Sequence, residues 1–319
     1  MQGNLLGLDI GAKTIKAVLL SGRGMAGGRL VAAEEVNIEE CGGLEVALGK
    51  LAENSFFKNM SCCICLPFDE VMLRQVTLPF RDDGKIRKTL AFEMEPLIPL
   101  AKGEVVIDYL KSDEGSLLAA AVSQKVIKNL IEVVEKTLSA DVMVIDVSLA
   151  ALAYPIMEKN PAEESAMVLD IGAAGTRACF YENGAIVEMR SFAFGGDSLV
   201  AEMARLKAID KAEALPLLIK GSPDNIDAVS GLCGKFCQEL KNTIEIMKIN
   251  GVLKKDISRV TVTGGGSLFG FLIKGLEDCF SLSVEIMDLA RLNKTEIVPG
   301  VKEKYHPQFM STALAASIR

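Results

Sequence analysis

Apolar side chains crowd two short runs near the start of the chain, residues 5–10 and 15–20, in the sequence LLGLDIGAKTIKAVLL. One acid, Asp9, interrupts the first run, and Gly11, Ala12, Lys13 and Thr14 separate the two. Runs of this length around a turn of small residues predict a strand, a hairpin and a second strand. The pattern returns at residues 167–181, MVLDIGAAGTRACFY, with the same D-I-G-A tetrapeptide at the end of an apolar run. The two aspartates, Asp9 and Asp170, are 161 residues apart (170 − 9), which points to a duplicated fold rather than a short repeat.

The elements between them follow from the same periodicities. After a glycine-rich turn at 22–28, residues 29–38 read as a third strand. Residues 43–54 carry leucine and alanine at helical spacing, and 61–68 form a buried strand. Residues 71–79 predict a strand, 82–94 a charged helix opened by Asp82 and Asp83, and 104–111 and 116–122 two strands around an S-D-E-G turn. Residues 126–138 then predict an amphipathic helix, so 69–140 is expected to form a small inserted α+β subdomain. Residues 142–147 return to strand character, 148–157 form a bridging helix, and the polar proline turn at 160–164 marks the expected boundary between a first domain, 1–160, and a second, 161–319.

In the second half, 185–194 is the third strand and 198–207 a helix. Residues 208–255 are polar and helical, with a glycine-rich interruption at 221–234 before the long helix 238–249. Residues 259–263 form a strand that runs into Gly264, Gly265, Gly266 and Ser267, expected to open the helix 268–280. Residues 281–288 are a closing strand and 310–318 a terminal helix. Both halves therefore share a β-β-β-α plan in an α/β layer architecture.

Composition narrows the chemistry. Half of the 319 residues are apolar and 24% are charged, so the chain is neither disordered nor fibrous. A net charge of −7 argues against a nucleic-acid partner. With His306 as the one histidine, histidine catalysis or a histidine metal site is not expected. Cys62, Cys63 and Cys65 sit in an apolar strand and Cys233 and Cys237 one helical turn apart, which is cysteine used as a small hydrophobe in a reducing cytoplasm. Asp9 breaks up any signal peptide, and no stretch approaches the roughly 20 apolar residues of a membrane span. Any membrane role is then expected through a partner, or through a segment beyond residue 319.

Three small-residue turns lie at strand ends, at 9–14, 170–176 and 264–267. In a duplicated α/β fold the first two would face one another. Asp9 and Asp170 would hold Mg²⁺ directly or through water, as carboxylates do for triphosphates. The backbone N–H groups of Gly11, Ala12, Lys13 and Thr14, and of Gly172, Ala173, Ala174, Gly175 and Thr176, would cradle phosphates, with Lys13 or Lys16 neutralising charge. The backbone of Gly264–Gly266 would admit a nucleobase or ribose. Taken singly each turn is equally a plain turn; two copies in register plus the third in order make a nucleotide site the better reading.

DIGAKTIK, LDIGAAGTRACFY and VTVTGGGSLFGFL resemble the first phosphate, second phosphate and adenosine motifs of the actin–Hsp70–sugar kinase superfamily. The middle block, LRQVTLPFRDDGKIRKTLAFEMEPLIPLAKGEVVIDYL onward, resembles the PilM family of type IV pilus assembly proteins and the cytoplasmic domain of its type II secretion relative, GspL. The resemblance implies a duplicated actin-like (ribonuclease H-like) fold that binds ATP with Mg²⁺. It further implies a cytoplasmic scaffold, peripheral to the inner membrane, with weak or no turnover. That scaffold would hold the N-terminal tail of a PilN-like single-span protein, while a GspL-like one would recruit the assembly or secretion ATPase; a homodimer stays open. In the superfamily a helix before the adenosine motif contacts the nucleoside, which here implies Glu239 and Thr243, one turn apart. A small-molecule kinase or activase would need a carboxylate base. The candidates are Asp108, in the inserted block, and Asp146, which reads as a cap of the bridging helix. No catalytic residue is assigned. An FtsA-like filament former would want an exposed amphipathic membrane helix, and none follows residues 310–318.

Overall fold

A computed structural model describes residues 3–22, 27–101, 103–112, 116–159 and 164–318. The turns expected within 23–26, 113–115 and 160–163 lie outside the described residues. The chain divides into two compact units: one holds 1–159, 289–306 and 310–319, the other 160–288 and 307–309.

In the first unit, β1 (Asn4–Ile10), β2 (Thr14–Ser21) and β3 (Arg29–Asn37) form an antiparallel meander. The one-turn helix α1 (Ile38–Cys41) and α2 (Leu44–Leu51) lead to β4 (Ser61–Leu66), which lies parallel to β1 on its other side. Further on, α4 (Gln124–Leu138) precedes β8 (Asp141–Val147), which pairs parallel with β4, and then α5 (Ser148–Met157). Leu6, Leu8, Ile15, Leu19 and Ile64 are completely buried, which is why β1, β2 and β4 read as continuous apolar runs rather than alternating ones. Cys62, Cys63 and Cys65 belong to the same interior. Burial pushes the Cys62 thiol up to about 12, so it stays a protonated, inert hydrophobe. Among the described residues no cluster of His, Cys, Asp and Glu is placed to hold a metal ion.

Inserted into this unit is a small sheet, β5 (Met72–Thr77), β7 (Ser116–Ser123) and β6 (Val105–Lys111), in the order β5-β7-β6, with α3 (Asp83–Met94) against it. Its core is separate and comprises Val76, Leu78, Ile86, Leu90, Met94, Ile98, Leu117, Ala119 and Ala121. The Asp82 side chain caps α3 by accepting the Lys85 N–H.

The second unit repeats the plan. β9 (Ser165–Ile171), β10 (Thr176–Glu182) and β11 (Ala185–Phe192) form a meander, and β12 (Arg259–Thr263) and β13 (Val284–Ile286) extend the sheet parallel to β9. The order β11-β10-β9-β12-β13 matches β3-β2-β1-β4-β8 strand for strand. α6 (Gly196–Lys207), α7 (Lys211–Lys220), α8 (Pro223–Ile249) and α9 (Gly270–Phe280) complete the unit. Phe236 of α8 stacks on Phe194 at 4.2 Å between ring centres and meets Phe192 edge-on at 5.8 Å.

Several elements differ from the sequence expectation, each for a physical reason. The helix assigned to the insert, α4, buries Leu130, Val134 and Leu138 in the core of the six-stranded sheet; amphipathic spacing shows that a helix packs, not what it packs on. The glycines at 231 and 234 do not interrupt α8, because Val229, Cys233 and Phe236 on its inner face are buried and offset roughly 1 kcal/mol lost per helical glycine. Gly265–Leu268 forms a 3₁₀ turn preceded by Gly264, and the α-helix starts only at Gly270. α5 has no side-chain cap; Asp146 accepts the N–H of its neighbour Val147 at 2.7 Å.

The segment after residue 288 also departs from the expected second domain. α10 (Leu289–Leu292) and β14 (Glu296–Ile297) belong to the first unit, where β14 pairs parallel with the edge of β3. From Met310 onward, α11 (Pro307–Ile318) is buried on all sides there. Its small residues permit contact with β1 so close that a Cβ on Gly7 would lie 1.9 Å from the Ala313 carbonyl oxygen.

Candidate functional site: paired hairpin turns

In the first unit, Asp9 at the end of β1 stands directly opposite Lys16 on β2, and their side chains form an ion pair at 3.5 Å. The connecting turn is closed by the Gly11 N–H donating to the Thr14 carbonyl at 3.0 Å, with Ala12 exposed at its tip. The Lys13 carbonyl accepts the Ile38 N–H at 2.8 Å, fixing the turn against the start of α1. Asp9, Gly11–Thr14 and Lys16 are thus brought together.

The second unit builds the same device. Asp170 at the end of β9 is the register partner of Arg177 on β10, and the Gly172 N–H donates to the Gly175 carbonyl at 3.0 Å. Ala173 and Ala174 are the exposed tip. The carbonyls of Gly172 and Ala173 accept the N–H groups of Gly196 and Asp197, both at 2.9 Å, so this turn is tied to the start of α6. Gly264 closes over its base: a Cβ there would lie 2.5 Å from an Asp170 carboxylate oxygen, and one on Gly266 would lie 2.1 Å from Ile171 Cγ2. The Gly264 N–H is held by the Gln308 carbonyl at 2.8 Å. Asp170, Gly172–Thr176 and Gly264–Ser267 therefore form one cluster.

Some expected ligands are committed elsewhere. The N–H groups of Gly11 and Gly172 are used inside their turns. The Thr176 hydroxyl donates to the Phe194 carbonyl and the Ser267 hydroxyl to the Gly264 carbonyl, both at 2.7 Å. Gly264 and Gly266 are buried against β9, so close backbone approach within the unit already demands glycine there. Glu239 is exposed on α8, and the Thr243 hydroxyl donates to the Glu239 carbonyl at 2.9 Å. α8 packs on α9, the helix into which Gly264–Ser267 leads. Arg177 follows Asp170 by seven residues (177 − 170), as Lys16 follows Asp9 (16 − 9), so each aspartate has a cation opposite it in the strand register.

What remains fits a magnesium-bound nucleotide. Each turn offers a carboxylate at its base, a cation opposite, and a tip of small residues at which a phosphate would meet backbone. The glycine cradle around Asp170 has no room for a Cβ.

A second feature lies in the insert. α3 and the edge strand β6 bound a groove of about 230 Å³ lined by Arg87, Leu90, Ala91, Val105, Ile107 and Tyr109. The Arg87 guanidinium sits over the Tyr109 ring, 5.5 Å from its centre. The Tyr109 hydroxyl donates to Asp83 at 2.6 Å, and Lys111 pairs with Asp83 at 2.8 Å. The Lys111 bond, then that of Tyr109, holds the Asp83 carboxyl below its ordinary value, and the same contact raises Tyr109. Asp108 points outward to Arg87 at 3.8 Å.

Residues 7–317 match the family model of type IV pilus assembly protein PilM. The chain belongs to the PilM family. Among solved structures it is similar to the PilM–PilN type IV pilus biogenesis complex, with a TM-score of 0.80, 21% identity, and coverage of 100% of this chain and 98% of that one. It is also similar to the cytoplasmic domain of EpsL, an inner-membrane component of the type II secretion system of Vibrio cholerae (TM-score 0.51, 10% identity, 98% and 92% covered). A third is MreB 5 of Spiroplasma citri bound to AMPPNP (TM-score 0.52, 13% identity, 92% and 95% covered). No curated protein sequence matches. The duplicated sheets are thus the actin-like fold that these PilM and MreB structures share, and nucleotide is bound in that MreB structure. Among the described residues no helix is long and apolar enough to cross a membrane.

Proposed function

We propose that this PilM-family chain is an ATP-binding, actin-like scaffold of the inner-membrane platform that assembles type IV pili. The observation that carries the reading is a single family match running unbroken through both aspartate-bearing hairpins and the inserted subdomain. The nucleotide is Mg·ATP, held by Asp9 and Asp170 with the two turns. The protein acts at the cytoplasmic face of the inner membrane through a PilN-like partner, whose N-terminal tail it binds. The groove between α3 and β6 suits a peptide. It has apolar walls from Leu90, Ala91, Val105 and Ile107, an Arg–Tyr rim, and an edge strand able to add a peptide strand.

Two titrations test this. Asp9→Ala and Asp170→Ala each abolish Mg·ATP binding in calorimetry while circular dichroism stays native; undiminished binding in both overturns the nucleotide site. A synthetic peptide of the membrane partner's tail binds the wild type, and Ala91→Glu weakens it at least tenfold. A second reading, a GspL-like recruiter of the secretion ATPase, rests on the likeness to the EpsL domain. It predicts capture of that ATPase and no binding of a PilN-like tail.

A further inference from the structure

Two half-buried thiols meet where α8 packs on α9. Cys237 stands on α8 and Cys279 on α9, and both are free. The Cys279 thiol donates to the Cys237 carbonyl at 3.8 Å. The Cys237 thiol donates to the carbonyl of Gly275, one turn before Cys279, at 3.9 Å. The two thiols also lie within hydrogen-bonding reach of one another. Each side chain thus points across the helix pair, at the other backbone and the other sulfur. Cys233, one turn earlier on α8, differs: it is buried in the core of the second unit, whereas Cys237 only borders that core.

We propose that Cys237 and Cys279 form a reversible disulfide that staples α8 to α9. The oxidant is a low-molecular-weight disulfide such as oxidised glutathione. Burial, then the neighbouring Cys279 thiol, pushes Cys237 up to about 12, which makes it a poor first nucleophile. Cys279 therefore attacks first. Its sulfur bonds to one sulfur of the small disulfide, whose S–S bond breaks, and the departing thiolate takes up the Cys279 proton. In that mixed disulfide Cys279 no longer disfavours the Cys237 thiolate. Cys237 then attacks the Cys279 sulfur, and the second small thiolate leaves with the Cys237 proton. Two protein thiols are oxidised, and the small disulfide is reduced to two thiols. Cys233 is the wrong partner for Cys237. Side chains one turn apart on a helix hold their Cβ atoms about 5–6 Å apart, beyond the roughly 3.5–4.5 Å that a disulfide spans. The bridge would fix α8, which carries Glu239 and Thr243, against the helix into which Gly264–Ser267 leads.

The reduced full chain, exposed to oxidised glutathione under native conditions, tests this by intact mass and non-reducing peptide mapping. The expected product is lighter by two hydrogens, joins the peptides holding Cys237 and Cys279, and is reversed by dithiothreitol. Its melting temperature should rise by about 5 °C or more, because the bridge closes a span of 42 residues (279 − 237). Cys237→Ser should stop at a mixed disulfide on Cys279, and Cys279→Ser should form no bridge. Wild type that ends only as mixed disulfides, or that joins Cys237 to Cys233, overturns the inference. So does a bridge that forms only in denaturant, or a bridged protein that melts below the reduced one.

Discussion

The two hairpins are near copies in sequence, yet their surroundings hold them differently. Within the turn the two are alike: a Cβ on Gly11 would meet the Thr14 carbonyl oxygen at 3.2 Å, and one on Gly172 the Gly175 carbonyl oxygen at 3.1 Å, but the first turn has no glycine pressed on it from another element as close as those around the second. In the first unit the tight contact lies two residues upstream of Asp9, where Gly7 admits α11. The second turn is gripped from two directions, by Gly195 at the start of α6, whose Cβ would fall 2.4 Å from the Ala173 carbonyl oxygen, and by Gly264 and Gly266. The comparison teaches that a shared motif fixes chemistry at the aspartate but leaves stiffness to whatever each unit packs around it.

Substitutions can break this contrast. Gly7→Val should have the largest effect, a loss above about 3 kcal/mol in chemical denaturation, because backbone of α11 rather than a side-chain tip must move. Gly264→Ala comes next, at about 2–4 kcal/mol, since it adds a clash to a left-handed backbone with φ of +82°. Gly11→Ala, inside the first turn, should cost about 1 kcal/mol or less, because its 3.2 Å contact needs a shift of only a few tenths of an ångström. Equal losses for Gly264→Ala and Gly11→Ala would erase the distinction between loose and gripped turns.

Thiols sharpen the comparison by unit. Cys62, Cys63 and Cys65 report on the first sheet, and Cys179, fully buried and pushed well above the ordinary thiol range, reports on the second. Native protein at pH 8 should label slowly at all four. In Gly7→Val the first three should become reactive at lower denaturant while Cys179 does not, as read by mass spectrometry. The smallest expected effect is in the insert. Asp83 is held below the ordinary carboxylate value, so its contribution is present at neutral pH and lost as pH falls through its depressed value. Lys111→Met should move the Asp83 titration upward toward the ordinary value in a carboxyl NMR experiment.

Much of this was legible in the residues. Asp9 and Asp170, the meanders around them and the third turn followed from apolar runs and small-residue breaks, because hairpins are local and each turn announces itself. The pairing of α4 with the main core, the return of β14 to β3 and the seat of α11 on β1 were not legible. Each depends on contacts between residues far apart in the chain, for which periodicity gives a face but no partner. The glycines of α8 misled for the opposite reason, since a local propensity of about 1 kcal/mol per residue was outweighed by tertiary burial. The place of Arg177 opposite Asp170 shows in the sequence only as the seven-residue spacing it shares with Asp9 and Lys16.

The discontinuity of the first unit also bears on how the chain is made. Ribosomal synthesis proceeds from the N-terminus, and domains generally fold in that order. Here the strand that completes the β3 edge and the helix that covers Gly7 are translated after nearly all of the second unit. The later-encoded unit can consolidate while the earlier one still waits with β1 uncovered. For this protein, the nascent chain's vulnerable interval belongs to its first-made half.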